Sequence, residues 1–406
     1  MRMPADDPAA SPFAFPVFRA VWLASTASHF GGLIQSVGAA WLMLSLTHSA
    51  RSVALVQTAA TLPIVLLSLL AGAVADNRDR RHVMIAAQLF MLLVAFALAI
   101  LGWLELLTPA LLLGSTFLLG CGAAFHAPAW QASVGDLVPR RVIPAAIIAN
   151  GLGFNLSRTV GPAVGGLIVA AAGATAAFVV NAISFIGLVV VLSRWRPAAG
   201  ERPARQRIGA SMLGGVRHAI ASPVLRVTMI RAALFGTMSS TILALMPLVA
   251  HNLVGGTAQI FGALLAAFGL GSILGSFVSR RFRQSLSNES AVRIASVAVA
   301  CGAIGVAADL GFTVTALALL AAGAGTVLAL STFNVAVQMS APRVVLARSL
   351  ALYQMAIFAG IALGSGVFGS VAQARGVSVA LASAAILQLL AMLLGCRWPL
   401  HDHDAG

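Results

Sequence analysis

An all-α integral membrane protein of twelve transmembrane helices, arranged as two related six-helix bundles, is predicted by three observations: the composition, the length of the apolar runs, and an internal repeat. Of the 406 residues, 60% are hydrophobic and only 9% are charged, and the mean hydropathy is +0.97. Soluble proteins carry about 25% charged residues, so this chain is built for lipid. Its apolar runs are each long enough to cross a hydrocarbon core of ~30 Å, which takes about 20 residues of helix. They are continuous and lack the period-two alternation of a membrane barrel.

The spans are predicted at approximately 18–46, 52–75, 83–104, 109–133, 142–171, 174–193, 224–250, 258–279, 291–309, 313–338, 345–372 and 377–395. The leader before the first span has no basic segment followed by a small-residue cleavage site, so it is expected to be retained. All 25 basic residues are arginine. With both termini on the cytoplasmic side, 21 of them fall on that side, two (Arg51 and Arg375) fall outside, and two (Arg158 and Arg231) fall within spans. Such asymmetry orients a membrane protein with its termini inside. The net charge of +14 then reflects a basic face against anionic lipid, and nucleic acid is not needed as a partner.

A shift of 203 residues superimposes Gly72 on Gly275, Trp130-Gln131 on Phe333-Asn334, Pro139-Arg140 on Pro342-Arg343, Gly161 on Gly364 and Gly166 on Gly369. Both copies keep one orientation, so the repeat is parallel, with a substrate site expected between the halves. The domain plan is a leader at 1–17, a six-helix bundle at 18–193, a linker at 194–222, a second bundle at 223–396 and a tail at 397–406. Apolar residues at 208, 212, 216 and 220 give the linker a candidate amphipathic helix on the membrane surface. Cys121, Cys301 and Cys396 have no metal-ligand spacing, and no metal or cofactor is expected.

Between the second and third spans runs G-A-V-A-D-N-R-D-R-R, Gly72 to Arg81. A glycine lets a neighbouring helix approach closely, and a carboxylate at a helix end suits an arginine or another helix's N-terminus. The stretch resembles the signature G-x-x-x-D-[RK]-x-G-[RK]-[RK] of the major facilitator superfamily. Gly72, Asp76, Arg80 and Arg81 match it, while Asn77 and Asp79 depart. This resemblance implies a cytoplasmic gate made by Gly72, Asp76, Arg80, Arg81 and the repeat mate Gly275. In the second copy Ser279 replaces the acid, so the gate is expected to be unequal. The stretches F-R-A-V-W-L-A, W-L-M at Trp41, A-P-A-W-Q-A-S-V-G-D-L-V-P-R-R and N-G-L-G-F-N-L-S-R-T-V-G-P-A-V-G-G are similar to the enterobactin-exporter-like, or transmembrane secretion effector, branch. That resemblance implies export of a small molecule across a bacterial inner membrane by a monomer.

In the fifth span, Gly153, Ser157, Gly161 and Gly165 share a stripe suited to close packing. Asn155, Arg158 and Pro162 lie about 110° away, where they can meet a cavity; Pro162 is expected to bend or loosen the span at its own level, and Gly166 joins it among the packing and bend residues. Arg158 is deep in its span, where a charge must face protein or water. Arg231, soon after Arg226, reads as a snorkelling residue. Further polar positions are His29 and Gln35 in the first span, and His126, Trp130 and Gln131 in the fourth. Asn334 and Gln338 lie in the tenth span, and Tyr353 and Gln354 in the eleventh. In the resembling fold, spans one, four, seven and ten line the cavity, which makes these residues substrate-cavity candidates. Only Glu105 and Asp309 among the acids fall at span ends, both on the outer side, and proton coupling rests on the resemblance alone.

The function expected is secondary export by alternating access of a siderophore-like metabolite or a drug, with membrane lipids as the surrounding partner. A lipid or lysophospholipid flippase of the same fold is the alternative. A membrane enzyme finds no H-E-x-x-H, no G-x-S-x-G and no paired carboxylates within a span. A receptor would need a sizeable soluble domain.

Overall fold

The computed structural model describes residues 11–195, 221–254, 256–282, 287–341 and 346–400. The predicted linker helix at 208–220, the tail beyond residue 400 and the side chains of Asp76, Asn155 and Ser279 lie outside the described residues. After a short 3-10 turn at Pro12–Ala14 come helices α1 (Pro16–Thr47), α2 (Ala50–Asn77), α3 (Arg80–Trp103), α4 (Pro109–Leu137) and α5 (Ile143–Arg194). The second half holds α6 (Pro223–Ala244), α7 (Ala258–Phe282), α8 (Asn288–Ala307), α9 (Phe312–Ser340), α10 (Leu346–Arg375) and α11 (Val377–Arg397).

The helices start where the sequence supplies local acceptors for free backbone N–H groups. Ser49, Thr108, Ser222 and Ser287 each cap the N–H three residues on. Asp79 caps α3 through the N–H groups of Arg81 and His82 at 2.9 and 3.3 Å. Proline occupies the opening positions of α1, α4, α5 and α6, where its missing N–H costs nothing.

Among the described residues, eleven helices are long and apolar enough to cross a membrane, rather than twelve separate ones. The difference lies in α5, a continuous 52 residues in which only Gly173 leaves helical geometry, at φ 78°. The loop expected there is one residue, and it reverses the chain. Side chains built at Gly153 and Gly165 would meet Trp22 and Val37, whereas Ala177 and Ser184 lie against Gly38 and Gly31. The two limbs of α5 therefore run along α1 in opposite senses. Pro162 sits within helical backbone, and the one residue of α5 that leaves it is Gly173, where only glycine takes a positive φ without strain.

The repeat is visible in the turns. Gly376, between α10 and α11, stands 203 residues after Gly173 and has φ 91°. Glu105 and Asp309, 204 apart, both adopt the left-handed conformation at φ 58° and 52°. Packing follows the same rule: α1 lies on the first limb of α5 as α6 lies on α10, α2 on α4 as α7 on α9, α3 on α4 as α8 on α9, and α3 on the second limb of α5 as α8 on α11. The halves meet chiefly through α2 against α10 and α5 against α7, themselves a symmetric pair.

Within the second half, a side chain at Gly323 would collide with the Phe268 carbonyl of α7, while one at Gly114 meets nothing. Gly323→Val should lower the thermal midpoint of the purified protein, reflecting an overpacking cost of about 2 kcal/mol. Gly114→Val should leave it nearly unchanged, and equal midpoints for the two variants would contradict this packing.

Candidate functional site

The described contacts between the halves gather at the ends of the helices far from the chain termini. The rings of Trp41 and Phe261 stack there with centroids 5.7 Å apart. Gly166 and Gly262 bring α5 and α7 into backbone contact, and Gly369 rests on Ala54. Thr58 donates to the Ala362 carbonyl at 3.0 Å, and Ser49 to Gln373 at 3.0 Å. This end is sealed by aromatic stacking, glycine contacts and two hydrogen bonds, with no ion pair among the described residues.

At the opposite end the predicted gate residues bond within their own half. Arg80 donates to the Ala132 carbonyl at 2.9 Å and pairs with Asp136 at 3.1 Å, both on α4. Arg81 donates to the carbonyls of Leu192 and Ser193 at 2.8 and 2.7 Å, at the C-terminus of α5, where the exposed carbonyls and the helix dipole favour a cation. The α2–α3 turn is thus riveted to α4 and α5. Among the described residues, a side chain at Gly72 would meet nothing within 4 Å, so none of them packs closely on it in this conformation. Gly275 differs: it packs backbone to backbone on Ala324 of α9. The side chain of Asp76, central to the predicted latch, lies outside the described residues.

The small-residue stripe of α5 faces α1. Gly153 lies on Trp22 and Thr26, Gly161 on Leu33, and Gly165 on Ile34 and Val37. Ser157 is fully buried and bonds its own helix at Gly153. Gly166 instead faces α7 across the seam.

The cavity candidates divide into two groups. Several use their polar atoms on neighbouring helices: Gln35 accepts from Asn181, His126 bonds Gln88 at 3.3 Å, and the Tyr353 hydroxyl donates to the Leu330 carbonyl at 3.1 Å. Trp130 is buried in the packing of the first half. Others stay accessible: Gln131 and Gln354 are exposed, and Gln338 bonds only its own-helix neighbour Asn334. His29 and Arg158 are partly exposed and share the Phe154 ring, His29 edge-on at 5.6 Å and the Arg158 guanidinium 5.9 Å from its centroid.

Two expectations need correction. Arg231 does not snorkel: it is 5% exposed and forks onto Glu289 at 2.5 and 3.2 Å. Glu289 is a span acid that the sequence reading placed in a loop. α8 begins at Asn288, three residues earlier than expected, which draws the carboxylate into its first turn. Arg293 at 2.9 Å and the Leu400 backbone N–H at 3.1 Å complete its shell. Ser287 as a helix cap, with Glu289 behind it, was the available signal for this earlier start.

Two pseudo-symmetric helical halves, joined by a symmetric pair of helix contacts and closed at one end, define a multi-pass membrane protein with the major facilitator fold. The model of the family described as transmembrane secretion effector matches residues 8–406, and the chain belongs to that family. The chain is 30% identical over 281 residues to the enterobactin exporter EntS of Escherichia coli (strain UTI89 / UPEC), covering 67% of this chain and 65% of that protein. It is 29% identical over 241 residues to the multidrug efflux pump Tap of Mycolicibacterium fortuitum, covering 56% and 58%. Against the staphyloferrin A transporter of Staphylococcus aureus (strain NCTC 8325 / PS 47) it is 24% identical over 251 residues, covering 61% and 63%. The matched region thus spans rather less than two thirds of each of these relatives. Among solved structures, the fold is similar to an inward-facing, unoccupied bacterial homologue of the lysosomal transporter Spinster, with TM-score 0.75 at 14% identity, covering 95% of this chain and 97% of that one. The POT family transporter PepTSo matches at TM-score 0.75 and 13% identity, covering 96% and 99%. The chain is therefore a multi-pass membrane protein of the transmembrane secretion effector family.

Removing one partner of a buried ion pair leaves an uncompensated charge, at a cost of ~3 kcal/mol or more. Glu289→Ala should therefore lower thermal stability markedly. The double variant Arg231→Met, Glu289→Leu should recover most of the loss. A double variant as unstable as Glu289→Ala would show that the pair itself, rather than the orphaned charge, carries the stability.

Proposed function

We propose that this protein exports a small molecule, a siderophore-like metabolite or a drug, across a bacterial inner membrane by alternating access. In this reading the bundles at 18–193 and 223–396 rock about the seam, and the cytoplasmic linker at 194–222 ties them. The arginine asymmetry supports placing both termini in the cytoplasm. On that orientation the sealed end is the outer one, and the conformation is open to the inside, ready to load.

The observation that carries the reading is the distribution of contacts between the halves. The far-end seam is made of stacked rings, glycine contacts and two hydrogen bonds, which separate without stranding a charge in lipid. The salt-bridged knots at the other end lie within single halves, so each half moves as a unit. In the outward-open state, closure of the cytoplasmic side would bring Gly72 and Asp76 towards the second half. The exporter names of the relatives support the direction of transport.

Inside-out vesicles supplied externally with a panel of labelled siderophores and dyes, with and without a pH gradient, should accumulate at least one of them. Accumulation that disappears with the gradient would identify the driving ion. Failure to move any of the panel would sink the exporter reading. In a background with the three native cysteines replaced by serine, bridging the pair W41C and F261C with a short bifunctional thiol reagent should stop transport, and a cleavable reagent should restore it on reduction. Continued transport with the seam bridged would rule out opening at this point.

A further inference from the structure

Arg158 lies 15 residues beyond the start of α5, about 22 Å along its axis at 1.5 Å per residue. That places it deep in the span, where an unneutralised cation is costly. Arg80, Arg81, Arg231 and Arg293 each hold a carboxylate or carbonyl oxygen. Arg158 has no such partner among the described residues; its one described contact is the face of Phe154. A guanidinium in this position is stable only where water or an incoming anion reaches it.

The helix geometry says which way it faces. At 100° per residue, Arg158 lies about 60° from Gly161, which packs on Leu33 of α1, and about 80° to the other side from Gly166, which packs on Gly262 of α7. Arg158 therefore looks between α1 and α7, into the space where the two halves meet, with the Phe154 ring beside it. A side chain at Gly151, two turns below on the same face, would meet nothing within 4 Å. α1 offers a matching open face: Gly32 also meets nothing, and Ser36 is exposed. Between them stands His29, packed edge-on against Phe154. Its Nδ1 lies 2.7 Å from the Ser25 carbonyl, so that nitrogen carries the proton and Nε2 is left as an acceptor.

We infer that Arg158, Phe154 and His29 form the docking point for an acidic aromatic substrate. The guanidinium takes a carboxylate or phenolate oxygen, the Phe154 ring packs on the aromatic body, and His29 Nε2 accepts from a substrate O–H or N–H. This inference rests on the transporter reading and adds the charge class of the cargo. It also gives the two halves different duties, because the anion is held by α1 and α5 of the first half alone.

The test uses the full-length protein in lipid nanodiscs, titrated by ligand-observed NMR with 4-hydroxybenzoate and with its uncharged amide. The wild type should bind the benzoate at least about tenfold more tightly than the amide, the scale of a charge-assisted pair over a neutral one. Arg158→Gln should abolish that difference while changing the amide's affinity by less than about twofold. Arg158→Lys should retain a preference for the charged compound, and it serves in place of the glutamine variant if that one does not fold. Equal wild-type affinities, no benzoate binding, or an equal loss for both compounds in Arg158→Gln would overturn the inference. The exporter reading fails separately: vesicles that export uncharged dyes but show no charge preference leave it standing without this site, whereas benzoate binding with no transport of any compound strikes the exporter reading instead.

Discussion

Helices surrounded by lipid gain little from burying apolar side chains against one another, because the tails are as apolar as leucine. Everything about this protein's architecture follows from that constraint. Association has to come from very close backbone approach or from polar groups that have nowhere else to go. The first device appears wherever glycine meets backbone: Gly271 and Gly323 between α7 and α9, Gly360 and Gly364 against α6, and Gly166 against Gly262 across the seam. The second appears as buried pairs such as Gln35 with Asn181 and Gln88 with His126. Helices joined by many such contacts form the two halves. Between the halves the described contacts are fewer and uncharged.

Charge is distributed unequally between the copies. The first half fastens its inner end with arginines that grip the exposed carbonyls of α5 and a carboxylate of α4. The second fastens its own with Glu289, which gathers Arg231, Arg293 and the backbone at Leu400 into one cluster and draws α6, α8 and the segment after α11 together. The two clusters do related jobs with unrelated residues. The repeat has kept the turn geometry at Gly173 and Gly376 while its polar chemistry has diverged.

Much of this was legible in the sequence because membrane folding is governed by length and polarity, which a sequence displays directly. The spans, the repeat and the α1-facing stripe at Gly153, Ser157, Gly161 and Gly165 all follow from spacing. What spacing hides is the partner. Nothing in the run around Arg231 shows that Glu289, 58 residues away and on another helix, will neutralise it. Likewise, Gln35 and His126 look like cavity groups until Asn181 and Gln88 are found beside them. The reversal at Gly173 falls between the predicted spans 142–171 and 174–193; what the sequence did not show is that one glycine suffices to turn the chain, because so short a loop leaves almost no polar trace.

The stacked rings at the seam have a spectroscopic consequence. Indole emission responds to the polarity and stacking of its surroundings, and Trp41 is one of six tryptophans in the chain. Its ring is pressed on Phe261 at the junction between the halves, whereas Trp130 and Trp195 are buried within the first half and Trp103 is 84% exposed at the end of α3. The protein thus carries an intrinsic optical probe at the junction between its halves.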